Sequence, residues 1–343
     1  MKTTTLFPEA VSAARVAIII PARDEADRIS ACLSALAAQR EAPPFAVHIC
    51  VNNSTDETAR MALRHPAGLP CTVTEVDLPC GGVGRARRLG HLIALRRSPR
   101  ARVLLSTDAD CEPDPVWVAG MTRALRRRDA VAGGIEGLSD LPQAHLERLR
   151  HGGEIEREYL TLSMEIVRLM CGGRALRALL INTAGGANLG FQRAAYREVG
   201  GFRAMDCQED RDIIDRSVAM GLRVGRAPDA IVRASMRLTG RAPRGMAAVL
   251  TARLSGQPDA LDSALEPLDQ LLLRQLGETA RSMQPLSIPS AESELPRLRG
   301  CVQTMRSLRS VQERHCFARQ VLNHDRAHVD AWFRAPTAQA TTS

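Results

Sequence analysis

Along the first 130 residues, short continuous apolar runs alternate with amphipathic stretches. VAIII (16–20) is a strand-length run rich in β-branched residues and closed by Pro21. Residues 24–38 then carry Ile29, Leu33 and Leu36 at helical spacing. FAVHICV (45–51), CTVTEVDL (71–78) and ARVLLST (101–107) predict three further strands. Helices are expected after the polar cluster NNSTDET, where Ser54 or Thr55 can cap, then over Arg85–Arg97 and over 114–128. Strands separated by helices of this length pair in parallel, with helices on both faces of an open sheet.

After residue 130 the pattern changes. AVAGGIEG (130–137) reads as a strand, 143–171 as a long helix and GGANLGF (185–191) as a strand with close backbone approach. Residues 208–220 read as a helix, and LRVGRA (222–227) and AIVRASM (230–236) as two short strands. From about 243 only helical patterning remains, with the Pro and Ser cluster at 285–296 expected to form a hinge or loop. The tail RAPTAQATTS (334–343) is expected to fray.

Composition narrows the classes. The 343 residues are 45% hydrophobic and 24% charged, as in a globular chain with room for about two domains. Aromatics are only 3%, which counts against a base-stacking platform, so no nucleic-acid partner is expected. The net charge of +8 suits an anionic partner such as a nucleotide or lipid head group. The nine cysteines form no CxxC pair, so reduced thiols are the simplest reading. With no signal peptide or transmembrane run, the expectation is a cytoplasmic protein for which peripheral membrane contact stays open.

In open α/β sheets ligands bind at the carboxyl ends of strands. Four polar segments stand there: PARDEAD, NNSTDET, GGVGRARR and TDADCEPD. In the last, Asp108 and Asp110 are two residues apart in an extended stretch, so both carboxylates can face one side. Two hard oxygen ligands that leave other positions to water and phosphate suit Mg²⁺ or Mn²⁺ on a nucleotide diphosphate. Glu209 and Asp210 open a predicted helix, where acids are also ordinary first-turn residues. The Arg85, Arg87 and Arg88 cluster on a presumed helix reads as readily as a solvated face as it does as a functional one. The runs at 126–128 and within SMRLTGRAPRG (235–245) are similar, although the latter is compact enough to close over a diphosphate. His324 and His328 share one helical face and read as a surface pair, and Cys111 as a packed thiol.

Taken together, these segments resemble family 2 glycosyltransferases, which have the GT-A fold. PARDEADRI (21–29) is similar to PxxNExxxI, NNSTDET (52–58) to DDGSxDxT, and GGVGRARRLG (81–90) to GxxxARNxG. STDADCEPDP (106–115) looks like the DxD motif, GGANLGFQRAAYREVGGF (185–202) like the acceptor-side segment, and QEDRD (208–212) like the ED motif. The resemblance implies a Rossmann-like, mostly parallel sheet flanked by helices, with a helical C-terminal extension. The GT-A domain would span 1–242, with a nucleotide-binding half at about 14–137 and an acceptor side at about 138–242; 243–343 would be the helical region.

The activity it implies is transfer, with inversion, of a single sugar from a nucleotide-diphosphate sugar to a hydroxyl of a small-molecule, glycan or lipid-linked acceptor. Asp108 and Asp110 would hold a divalent metal, Mg²⁺ or Mn²⁺. Asp210 would be the base, with Glu209 beside it. Pro21, Arg23, Glu25, Asn52, Asn53, Asp56, Arg85, Arg88 and Asp108 would face the donor, and Gly186 and Asn188 the acceptor. Asn52 and Asn53 depart from the family's acidic pattern. The QxxRW signature of processive members is missing, which favours single-sugar transfer. The alternatives are a nucleotidyltransferase that makes nucleotide sugars and a non-catalytic nucleotide-sugar-binding protein.

Overall fold

In a computed structural model of the chain, the described residues are 1–64, 68–79, 82–138, 141–171, 185–240, 246–255, 265–278 and 286–333. The side chains of 171 and 324–333 are not among them, so His324 and His328 lie outside the described side chains, as do Arg241, Arg244 and the tail 334–343. Two compact units form: Met1–Leu149 with Leu180–Gln257, and Arg150–Leu179 with Pro258–Ser343. A boundary at 243 would therefore fall inside the first unit.

The first unit holds a nine-stranded sheet in the order β1-β4-β3-β2-β5-β8-β7-β9-β6. Its strands are β1 (Lys2–Leu6), β2 (Val16–Ala22), β3 (Phe45–Asn52), β4 (Cys71–Val76), β5 (Val103–Ser106), β6 (Cys111–Pro113), β7 (Ala130–Gly137), β8 (Leu189–Gln192) and β9 (Val224–Ala234). Pairing is parallel along β4-β3-β2-β5 and between β7 and β9, and antiparallel at β1, β8 and β6. The helices before the strand order turns to its mixed half are α1 (Pro8–Ala13), α2 (Ile29–Ala37), α3 (Thr58–Arg64), α4 (Val83–Arg97) and α5 (Trp117–Leu125).

Period two along β2 explains why its whole sequence is apolar. Val16, Ile18, Ile20 and Ala22 join one core with Leu33, Leu36, Val47 and Trp117. Ala17 and Ile19 point the other way, into a second core with Ala94, Leu104, Phe191 and Phe202. A strand covered on both faces has no polar side to alternate with. The chain runs outward from β2 through β3 to β4, then returns to place β5 on the other side of β2. The carboxyl ends of β2 and β5 therefore flank the point where the strand order reverses, the place where open α/β sheets bind their ligands.

Several expectations change. Residues 24–28 form a loop, and α2 begins only at Ile29, because Asp24 takes a left-handed φ of 51° and Glu25–Arg28 are tied into a turn. GGANLGF is not one strand: Gly186–Asn188 is a single 3₁₀ turn, and β8 starts at Leu189. The two short strands at 222–236 are one strand, β9, with a register shift opposite Gly133 and Gly134. β1, a Thr-rich strand pairing antiparallel with β4, and the three-residue β6 had no apolar run to announce them.

The second unit has its own helical core. Tyr159, Ile166 and Met170 on the helix Gln143–Cys171 pack with Leu268, Leu272, Leu298 and Met305. The expected hinge at 285–296 is mostly helix, Ile288–Ser307. Its Ser287 cap accepts the Ser290 amide at 3.2 Å, and Pro289 falls in the first turn, where a missing N–H costs nothing. Among the described residues, no helix is long and apolar enough to cross a membrane.

His48 on β3 is buried. Its Nε2 lies 2.9 Å from Ser98 Oγ, while Nδ1 has no partner. Burial, with help from Arg97, lowers its pKa from 6.5 to about 4. The neutral ring thus contributes stability above pH 6.5 that is lost as pH falls toward 4, amounting to roughly 3 kcal/mol when complete. Urea unfolding at pH 7 and pH 4.5 should show a smaller acid loss in His48→Gln than in the unsubstituted protein. Equal losses would contradict a neutral, buried His48.

Candidate active site

Loops after β2 and β3 are stitched together by their own polar residues. Asp24 Oδ1 accepts the Thr55 amide at 2.7 Å, and the Asp24 amide donates to Ser54 Oγ at 2.9 Å. The Glu25 amide donates to Thr58 Oγ1 at 2.8 Å, and the Ala26 amide to Asp56 Oδ2 at 3.0 Å. Asn52 and Asn53 both accept from the Leu78 amide, at 3.2 and 3.1 Å. The amides at 52 and 53 therefore spend one acceptor each on shaping the loop after β4. Pro21, the last residue but one of β2, is buried beside Cys50, and Arg23 is exposed, 3.9 Å from Asp24.

The loop after β5 brings Asp108 and Asp110 to the same end. Glu25 joins them from the β2 loop through Arg237. The Arg237 guanidinium grips both oxygens of Glu25, one of them at 2.6 Å, and lies 3.1 Å from Asp110 Oδ2. Arg237 arrives because β9 pairs with β6, with Ala234 opposite Cys111, and the Ser235 amide donates to the Asp110 carbonyl. Burial, with the neighbouring charges of Asp108 and Glu25, raises the Asp110 carboxyl to about 6 despite Arg237. Arg237 is the counter-ion that Glu25 and Asp110 share.

A second guanidinium holds the rest. Arg87, on α4, is buried with 2% of its surface exposed, which decides against a solvated face for this member of the cluster. Nη1 donates to Ser106 Oγ at 2.6 Å and to the Gly186 carbonyl at 2.7 Å. Nη2 donates to Asp108 Oδ1 at 2.9 Å, and Nε to Glu209 Oε1 at 3.1 Å. Burial alone would lower its pKa, but Asp108, Glu209 and Asp210 hold it above the ordinary arginine value. Glu209 is itself buried, which raises its carboxyl; Arg87 offsets part of that, while Asp210 and Asp108 add to it. Asp210, next in the chain, is half-buried and accepts the Gly186 amide on Oδ2 and the Arg211 amide on Oδ1, both at 2.8 Å.

Other expected positions fall differently. Arg88 donates to the Phe202 carbonyl at 2.7 Å, and its work is to fasten α4 to the segment before the helix Glu209–Ala219. Arg85 Nε is buried and has no hydrogen-bond acceptor within reach, with Asp206 Oδ1 at 3.9 Å the acid facing it. Asn188 does not face an acceptor. It is fully enclosed, with its Nδ2 donating to the Gly134 and Ala230 carbonyls at 2.7 and 2.8 Å and its Oδ1 accepting from Trp117 Nε1 at 2.8 Å. Gly186 is buried as well, and a Cβ there would stand 2.5 Å from Arg87 Nη2. The Cys111 thiol is raised well above its ordinary pKa by burial and by Asp108 and Asp110, and so is no nucleophile at neutral pH.

Among the described residues, no three His, Cys, Asp or Glu side chains are grouped closely enough to cage a metal. Asp108 and Asp110 do suit an ion such as Mg²⁺, which takes one or two carboxylates and fills its other positions with water and substrate phosphates. Arg237 would then have to release Asp110.

The acids that follow β2 and β5 and those that open the helix Glu209–Ala219 thus gather at the strand-order reversal. Residues 17–174 match the family described as Glycosyl transferase family 2, and over that stretch the chain is a glycosyltransferase domain. This decides against the nucleotidyltransferase alternative. No curated protein matches the sequence.

Among solved structures, the chain is similar to S. aureus TarS in complex with UDP-GlcNAc, at 15% identity and a TM-score of 0.48, over 76% of this chain and 71% of that one. It is also similar to the mannosyltransferase PcManGT from Pyrobaculum calidifontis with GDP-Man and Mn²⁺, at 20% identity and 0.47, over 94% and 82%. A third is glucosyl-3-phosphoglycerate synthase from Mycobacterium tuberculosis with Mn²⁺, UDP and glucosyl-3-phosphoglycerate, at 14% and 0.42, over 74% and 84%.

Asn188→Ala leaves the Trp117 indole and two buried carbonyls without partners. Each such loss costs about 1–3 kcal/mol, so chemical denaturation should show destabilisation of roughly 3 kcal/mol or more. A change below about 1 kcal/mol would contradict the structural place given to Asn188.

Proposed function

We propose that the protein moves a single sugar, with inversion, from a nucleotide-diphosphate sugar to an acceptor hydroxyl, assisted by a divalent metal on Asp108 and Asp110. The observation that carries this reading is the convergence of Glu25, Asp108, Asp110 and Glu209 on two arginines at the carboxyl ends of β2 and β5, with Asp210 tied to the same cluster through the Gly186 amide. The donor's nucleoside lies against the β2 and β3 loops, whose backbone the Asp24, Asp56 and Thr58 hydrogen bonds hold in place. When bound, the metal neutralises charge that develops on the departing diphosphate.

Asp210 accepts the proton of the acceptor hydroxyl as its oxygen attacks the anomeric carbon and the carbon–oxygen bond to the diphosphate breaks. Two backbone amides fix the Asp210 carboxylate, so its orientation is set before the acceptor arrives. Asp212, an alternative base, is committed to Arg203 at 3.0 Å and to Arg216 at 2.7 Å. The single-sugar part of the reading rests on the sequence, where no QxxRW segment follows Glu209–Asp210.

Calorimetric titration with UDP, GDP and dTDP, with and without Mn²⁺, tests the donor side, and slow hydrolysis of the matching nucleotide sugar tests the chemistry. Asp108→Ala should lose the Mn²⁺-dependent part of nucleotide binding. Asp210→Asn should bind donor normally and lose roughly 10²–10⁴-fold in turnover. Metal-independent binding in every case, or full turnover by Asp210→Asn, would overturn the assignment it tests.

A further inference from the structure

We propose that Arg87 is a positioning residue for the transfer step, setting the geometry of Asp210 relative to Asp108 without touching substrate. This rests on the reading of Asp210 as the base and Asp108 as the metal-side carboxylate. The argument is geometric. One planar guanidinium serves four acceptors supplied by separate parts of the chain: Ser106 at the end of β5, Asp108 in the loop beyond it, the Gly186 carbonyl in the 3₁₀ turn, and Glu209 at the start of a helix.

Gly186 is held from both sides. Its carbonyl accepts from Arg87 and its amide donates to Asp210 Oδ2 at 2.8 Å. A chain of three hydrogen bonds therefore runs from Asp108 through Arg87 and Gly186 to Asp210. The bond from Arg87 to Glu209 adds a second path, through the residue beside Asp210 in the chain.

The guanidinium has no alternative place to go. It is buried, its Cζ lies 5.8 Å from the centre of the Phe202 ring, and it occupies the space that a side chain at 186 would fill. Gly84, one turn earlier on α4, has the Met205 carbonyl only 2.5 Å from where its Cβ would stand, and this close approach lays α4 against the segment that leads into Glu209. Lysine keeps the charge but has no rigid fork and cannot serve four acceptors at these angles. Small displacements of a positioned base are expensive in rate, on the order of 10²-fold for 1 Å.

The test approaches the contact from both partners. Arg87→Lys removes the fork, and Gly186→Ala pushes the guanidinium away. Each should lower donor-hydrolysis kcat by roughly 10²-fold while changing the Kd for nucleotide and Mn²⁺ by less than about threefold. Because both act on one contact, the double variant should be no slower than the slower single variant, a failure of additivity that independent losses of stability would not produce. Amide exchange over 185–192 should speed up in Arg87→Lys. Should Arg87→Lys fail to fold, Gly186→Ala carries the test.

Wild-type turnover in either variant overturns the proposal, as does loss of donor binding in step with kcat or multiplicative losses in the double variant. Asp210→Asn, run in parallel, separates the two failures. If it is inactive while Arg87→Lys is fully active, only the role of Arg87 falls. If it is fully active, the assignment of the base falls, and the proposal with it.

Discussion

A guanidinium cannot be buried without acceptors, and four carboxylates cannot share a crevice without cations. The two requirements satisfy each other here. Arg87 is enclosed by Asp108, Glu209, Ser106 and the Gly186 carbonyl, while Arg237 bridges Glu25 and Asp110. Removing one partner from such a buried pair leaves an uncompensated charge, at a cost of roughly 3–5 kcal/mol. The arrangement therefore holds the acids in place before any ligand arrives. The two arginines differ in kind. Arg87 is sealed in, whereas Arg237 keeps 20% of its side chain exposed and can exchange partners with a donor and its metal.

The fold delivers these groups by simple means. β2 and β5 are neighbours in the sheet although two other strands separate them in sequence, so the loops that leave them meet. β9 pairs with β6 immediately after Asp110, which carries Arg237 to the acids. Helix α4 lies close to β2 and β3 through Gly90, whose Cβ would meet Ile19 at 2.8 Å, and so brings Arg87 to the junction. Each contact of the site is thus inherited from a pairing or packing choice made elsewhere in the first unit.

Legibility in the sequence follows the same physics. β2, β3, β4, β5 and β7 were readable because central strands are continuous apolar runs, and the acids after them stood out against that background. β1 and β6 were not, since an edge strand of threonines and a three-residue strand carry no hydrophobic signal. The family resemblance located Asp108, Asp110, Glu209 and Asp210, but it said nothing of what each is bonded to. Arg87 sits in a run of arginines that alone does not tell a solvated face from a functional one. A signal was present in Gly84, Arg87, His91 and Ala94, which fall on one helical face, with two small residues marking it as the packed side. Asn188 read as an acceptor-side residue because the motif names it, yet its three partners are backbone carbonyls and an indole that only the folded chain brings together.

The central claim is that Asp108 and Asp110 form the metal side of one crevice whose opposite side is Asp210. Anomalous diffraction at the manganese edge, from crystals soaked in Mn²⁺ and a nucleoside diphosphate, tests it most directly. The account predicts one strong peak bonded to the Asp108 and Asp110 carboxylates, with the diphosphate on it and Arg237 withdrawn from Asp110. Nucleotide bound in the crevice with Arg237 still on Asp110 and no manganese at these acids would contradict it.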